Sequence, residues 1–202
     1  MPRVAGQVDL AKRQAILKAA SEVFAARGLH APMEEIARQA RVSKQTIYNH
    51  YGSKAELLRA LIEMRVETMT APLDMPGAAE NPEVALAILG RQVLHGVLNQ
   101  GANSLLRLAV QGTPDVSDLA RAIYEAGLKA SRARLAQFLT REGAAGRLAI
   151  DDAALAAEFF FGMVVGSHQT RFLLDVREAV SDAEVERITQ AAAARFMRAY
   201  TP

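Results

Sequence analysis

The chain has 202 residues, half of them hydrophobic, enough to bury one large core or two small ones, and its lack of cysteine excludes disulfides and thiolate metal sites. Net charge is only +2 but is unevenly placed: residues 1–65 hold 11 Lys/Arg against 6 Asp/Glu, whereas residues 66–202 hold 13 against 16. A basic end on a mildly acidic body points, weakly, to an anionic partner for that end.

Nearly every segment repeats its apolar residues with a helical period and none alternates as a strand does, which predicts an all-α fold of about nine helices. The first spans about 9–27, with Ile16, Ala20, Val23 and Phe24 as its inner stripe, and Gly28 ends it. A second spans about 32–40; Arg41 and Val42 make a turn, and Ser43 caps a third that reaches about His50. Ser53 and Glu56 form a capping box for a fourth helix carrying Leu57, Leu58, Leu61, Ile62 and Met64, which must stop by Ala71 because Pro72 follows. Residues 72–81, with two prolines and a glycine, read as a linker. Asn81 and Pro82 open a fifth helix to about Gln100. A short helix over about 102–111 follows, then a long one from about Thr113 to Glu142. Asp151 caps a helix running to about Val176, and Ser181 with Glu184 starts the last, to about Tyr200.

Residues 36–54, IARQARVSKQTIYNHYGSK, are the most informative stretch. Two short helices flank a tight turn, and the second is too polar to be core throughout, with Ile47 as its apolar anchor. Lys44, Gln45, Thr46, Tyr48, Asn49 and His50 can all donate to phosphates or read base edges, and Lys54 follows at the start of the next helix, where its charge and the helix N-terminus could both face a phosphate. From Ala153 to Gly166 the chain is apolar on almost every side of a helix. Such a helix is either the central core of a monomer or is shared between its own domain and another chain. Gly162 and Gly166, four apart, would let a neighbouring helix approach closely, and the last helix offers Val185, Ile188, Ala192, Phe196 and Ala199 at helical spacing. Two such terminal helices and their counterparts could form a four-helix bundle, with Gly162, Gly166, Thr170, Ile188, Ala192 and Phe196 at the contact.

The run from Phe24 to Gly28, Ile36-Ala37, the turn Ala40-Arg41-Val42-Ser43, the series Thr46, Ile47, Tyr48, His50, Tyr51, and Ser53-Lys54 with Glu56, Leu57 and Leu58 resemble the N-terminal domain of the TetR family of transcriptional regulators over about residues 12–62. Leu106-Arg107-Leu108-Ala109, Thr113-Pro114-Asp115, Phe138, Gly146-Arg147-Leu148, Ala156, Ala157, Phe159, Phe161-Gly162, Ala191, Phe196 and Ala199-Tyr200 more loosely resemble an AefR-like C-terminal domain. The resemblance implies a helix-turn-helix domain at 1–52, a connecting helix at 53–71 and an effector-binding, dimerising domain at 72–202. It implies a homodimer joined through the last two helices that binds a palindromic duplex operator as a repressor and is released by a small molecule; an activator of the same fold is the alternative. The family's threonine near the start of the second helix is missing here, the turn glycine is Arg41, and Tyr51 replaces a phenylalanine.

Within that frame Lys44 could meet guanine or a phosphate, Gln45 could pair with adenine or turn to solvent, and the Thr46 methyl could pack on thymine. Tyr48, Asn49, His50 and Lys54 resemble the backbone-contacting set, although the Tyr48 ring could also pack inside the domain. Arg3, Lys12 and Arg13 are either duplex contacts or solvated. Candidates for the effector pocket are Met64, Met69, Val93, Leu106, Tyr124, Phe138, Phe160 and Met163, each equally able to be core, and His95 and His168, which could orient a ligand or sit satisfied in a core or interface. The absence of a charged cluster favours an uncharged or amphipathic effector.

The four histidines lack metal-ligand spacing, and no nucleophile elbow, P-loop or dinucleotide fingerprint occurs, so neither an enzyme nor a metal or cofactor is expected. A helical protein-interaction module would account for the last two helices but not for the polar third helix beside Lys54. No apolar run reaches the roughly 18 residues of a membrane span, and the first residues lack the apolar stretch of a signal peptide. The expectation is a cytoplasmic protein without a membrane partner.

Overall fold

A computed structural model describes residues 5–99, 106–107, 110, 117–176 and 179–202, with backbone alone at 5–8 and 29. All regular structure among them is helical, and no helix among them is long and apolar enough to cross a membrane. The chain divides into two compact units, one of residues 1–64 and 100–127, the other of residues 65–99 and 128–202.

The first unit holds α1 (Ala5–Arg27), a 3-10 turn (Gly28–His30), α2 (Met33–Ala40), α3 (Lys44–Tyr51) and the first part of α4 (Lys54–Thr70). Its core gathers Ile16, Ala20, Val23 and Phe24 of α1, Ile36 and Ala37 of α2, Ile47 and Tyr51 of α3, and Leu57, Leu58 and Leu61 of α4. Leu119, from the helical segment Ser117–Ala122, completes it. Each helix buries one stripe at three- and four-residue spacing, and burying those stripes together is what holds such short helices in place.

The second unit begins inside α4, at Arg65. Residues 72–81 are not a free linker. Ala71–Asp74 form a 3-10 turn whose Pro72 and Leu73 are buried, and Ala78 joins the same core. The turn is anchored by Arg141, whose Nη2 lies 2.9 Å from Asp74 Oδ1. α5 (Pro82–Leu98) packs its buried Leu86, Leu89, Val93 and Leu94 into this core. Gly90 permits a close three-way contact: a Cβ there would lie 3.2 Å from Val164 Cγ2 and 3.3 Å from Thr189 Cβ.

The expected helix over 102–111 and the start of the long one at Thr113 fall mostly outside the described residues. From Ser117 the backbone is helical to Ala144, but Ile123–Lys129 is wound as a π-helix between the α-helical Ser117–Ala122 and Ala130–Ala144. Such widening leaves carbonyls to be satisfied by other groups, and the Leu128 carbonyl accepts from Ser131 Oγ and Arg132 Nη1, both at 3.0 Å. The helix expected to reach Val176 ends earlier. Ala153–Val165 stops at Gly166, which takes φ +49°, and His168–Leu173 is a separate helix. Its cap is Asp152, whose Oδ1 accepts from Leu155 N at 2.9 Å, not Asp151. The last helix, Asp182–Tyr200, begins as expected with Ser181 Oγ accepting from Glu184 N.

Candidate nucleic-acid interface

Sequence-local capping shapes the turn between α2 and α3. Arg41 occupies the left-handed region at φ 55°, ψ 42°; its N–H donates to the Arg38 carbonyl and the Val42 N–H to the Ala37 carbonyl. This is a Schellman arrangement with arginine at the position that usually favours glycine. Val42 turns inward against the core of the unit. Ser43, extended, caps α3: its Oγ accepts from Thr46 N at 3.0 Å and lies 2.8 Å from Thr46 Oγ1. Thr46's hydroxyl is thereby engaged in the cap.

α3 buries Ile47 and Tyr51, four residues apart. Its opposite face carries Gln45 and Asn49, both exposed; Lys44, exposed at the first position of the helix, and the half-buried Tyr48 one turn on flank the buried stripe. Gln45 Nε2 donates to Asn49 Oδ1 at 2.8 Å, which holds the two amides as one polar platform one turn long. Lys44 pairs with Glu34 of α2 and has its Nζ 5.8 Å from the Tyr48 ring centroid. Tyr48 combines both readings offered by its sequence position, since part of its ring packs on the core of the unit.

His50 faces the other way. Its Nε2 lies 3.5 Å from Asp9 Oδ1 of α1, and its side chain is only 21% exposed. Tyr51 also reaches α1, its hydroxyl donating to the Arg13 carbonyl at 3.4 Å; burial pushes that phenol above its ordinary pKa, against the effect of the hydrogen bond. The tyrosine in place of a phenylalanine therefore adds a tie between α1 and α3. Gly52, at φ +74°, ends α3, and Ser53 Oγ caps α4 by accepting from Glu56 N. Glu56 itself turns to Arg59, 3.4 Å away, so the capping box is half formed. Lys54 opens α4, its Nζ 5.9 Å from the Phe24 ring centroid, and desolvation holds its ammonium below the usual lysine range. An incoming phosphate would restore the stabilisation that desolvation removes.

α2 starts differently from the usual pattern. Pro32 is the N-cap itself, at φ −74°, ψ 140°, and supplies no side-chain hydrogen bond; His30 is exposed in the preceding 3-10 turn. The first turn of α2 presents Glu34 and Glu35 instead of a hydroxyl.

The other candidates separate on inspection. Phe196 and Ala192 are core, not interface: Phe196 is wholly buried, edge-on to Phe160 at 5.5 Å between centroids, and Ala192 lies in the same cluster. Their stripe is the inner face of the last helix. Ile188 is half-buried against that cluster. Gly162, Gly166 and Thr170 are exposed, and a Cβ on either glycine would meet nothing within 4 Å. Beside Gly162 stand Leu155, Phe159 and Met163, 48%, 52% and 39% exposed, so Met163 belongs to this outer stripe. Leu155 and Phe159 were missed in the sequence because a helix apolar all round gives no sign of which side faces out.

The remaining effector candidates are divided between the two units. Val93 and Phe160 are buried core, as is Phe138, while Met69 is packed against that core. His95 is exposed and His168 half-buried. Met64 and Tyr124 are exposed, and Leu106 half-buried, in the first unit. None of them lines the groove of about 570 Å³ between α5 and the last helix, formed by Val84, Ala87, Ile88, Arg91, Gln190 and Ala194 among others. Among the described residues, no three His, Asp or Glu gather as a metal would require.

Comparison with known proteins agrees with this architecture. Residues 16–61 match the family described as bacterial regulatory proteins of the tetR family, and residues 84–202 match the C-terminal domain of AefR-like transcriptional repressors. The HTH-type transcriptional activator FasR of Mycolicibacterium smegmatis is 46% identical over 61 residues, which is 30% of this chain and 28% of that protein. The regulator TcmR of Streptomyces glaucescens is 31% identical over 138 residues, 65% of this chain and 60% of its own. The matches thus span less than two thirds of these curated relatives. Among solved structures, the flavonoid-responsive regulator FrrA aligns with a TM-score of 0.67 at 31% identity, over 95% of this chain and 97% of that one. A putative TetR-family regulator from Mesorhizobium loti aligns with a TM-score of 0.71 at 27% identity, over the same shares. From its helix-turn-helix to its C-terminal helices, the chain belongs to the TetR family of DNA-binding transcriptional regulators, and is not an enzyme.

Proposed function

We propose that the chain is a repressor that binds a palindromic operator as a homodimer and leaves it when an uncharged or amphipathic small molecule binds. The observation that carries the DNA reading is the exposed polar surface of α3, with Gln45 and Asn49 on its outer face and Lys44 at its first position, while Ile47 and Tyr51 lock the helix to its unit. Gln45 and the Thr46 methyl read base edges, Lys44 meets guanine or phosphate, and Tyr48, Asn49 and Lys54 hold the backbone, which His50 joins by exchanging Asp9 for a phosphate. Dimerisation is supported by the exposed stripe of Leu155, Phe159, Gly162 and Met163, with Gly166 and Thr170 beyond it. Repression is supported by the match to AefR-like repressors. A weakly polar, planar effector is supported by FrrA, a protein named as flavonoid-responsive.

Selection of duplexes from a random library by the purified protein tests this reading. A palindromic consensus is expected, its half-sites about one helical turn apart or a small multiple of that. A folded dimer that enriches no duplex at low salt, with or without added flavonoids, would overturn it. The activator reading is favoured by FasR, whose match is confined to 61 residues. A reporter behind the selected operator separates the two, since deletion of a repressor raises transcription and deletion of an activator lowers it.

A further inference from the structure

The first turn of α2 is acidic at the place where a helix N-terminus is otherwise a ready anion site. Glu35 is neutralised within its own unit, with Arg27 Nε at 2.8 Å and Arg38 Nη2 at 3.8 Å, and only 19% of its side chain is exposed. Glu34 is 64% exposed, and its partner is Lys44, the first residue of α3. The hydrogen bond from Lys44 holds the Glu34 carboxyl below its usual pKa, and the same bond raises that of Lys44. The pair is therefore fully charged at neutral pH; it is lost as pH falls through the lowered value of Glu34 or rises through the raised value of Lys44. Lys44 thus approaches DNA already carrying a carboxylate.

We propose that Glu34 is a specificity-determining residue that neutralises Lys44 on the recognition face, weakens phosphate-only binding to arbitrary duplex, and so widens the gap between operator and non-specific affinity. Non-specific binding is the sum of phosphates neutralised. A lysine that must leave Glu34 to meet a phosphate adds little to that sum, and the carboxylate it uncovers faces a polyanion. On the operator the base contacts of Gln45 and Thr46 do not require Lys44 to leave Glu34, whereas phosphate-only binding depends on every cation it can recruit.

The inference rests on α3 being the recognition helix, and the test keeps the two apart. Full-length protein, Glu34→Gln, Lys44→Ala and the double variant are titrated across a salt series against the selected operator and an unrelated duplex of equal length, with melting curves to verify folding. Glu34→Gln is expected to tighten the unrelated duplex about two- to fivefold, the range an exposed ion pair supports, and to tighten the operator less. It should also steepen the salt dependence by about 0.9 in log–log slope, and its effect should at least halve on the Lys44→Ala background. Equal tightening of both duplexes, no tightening, or an undiminished effect without Lys44 would overturn the inference. A Gln45→Ala variant, titrated beside them, that binds both duplexes as the parent does would instead overturn the assignment of α3.

Discussion

Single residues show where local chemistry and tertiary context divide the work. Arg41 adopts a left-handed backbone because the Schellman turn requires it, at a cost of roughly 1 kcal/mol for a residue with a Cβ. Arg41→Gly should accordingly raise stability by about 1 kcal/mol, read as a higher denaturation midpoint at unchanged slope. Gln45 and Lys54 should part company functionally. Gln45→Ala should cost about 1–3 kcal/mol on the operator and relax one position of the selected consensus; an unchanged consensus would remove it from the base-reading set. Lys54→Ala should weaken all duplexes alike and flatten the salt slope by about 0.9. His50 is a less simple case, because its Nε2 already faces Asp9. Its family role was readable from the motif, but its partner, 41 residues away, was not.

At the scale of the element, the helix Ala153–Val165 carries two kinds of apolar residue that no pattern distinguishes. Ala156, Ala157, Phe160, Phe161 and Val164 are buried, whereas Leu155, Phe159 and Met163 are exposed. Neighbouring phenylalanines should therefore respond differently. Phe160→Ala leaves a cavity and should cost about 3–5 kcal/mol in unfolding free energy. Phe159→Asp should leave the helical circular dichroism intact while sedimentation changes from dimer to monomer; a persistent dimer would remove this stripe from the interface. The caps of α3, α4 and the last helix were legible because a Ser side chain reaches only its own N3 amide. The break at Gly166 and the π-helix at Ile123–Lys129 were not, because each is a change of winding over a few residues within a longer helical pattern.

For the molecule as a whole, a polar reading face and an exposed apolar stripe lie on different compact units. The sequence by itself determined the all-α class, the order of the helices through α5, the helix-turn-helix and the family. All of these rest on period, caps and short spacings, whose physics acts within a turn or two of helix. Only the tertiary structure decided that Leu73 and Ala78 join a core, with Pro72 buried beside Leu73, instead of spanning between domains, that Phe196 points inward, and that Glu34 sits against Lys44. Those outcomes depend on which side of a helix another segment covers. That is settled by burying the largest apolar surface across residues distant in sequence, a sum to which no single stretch of chain holds all the terms.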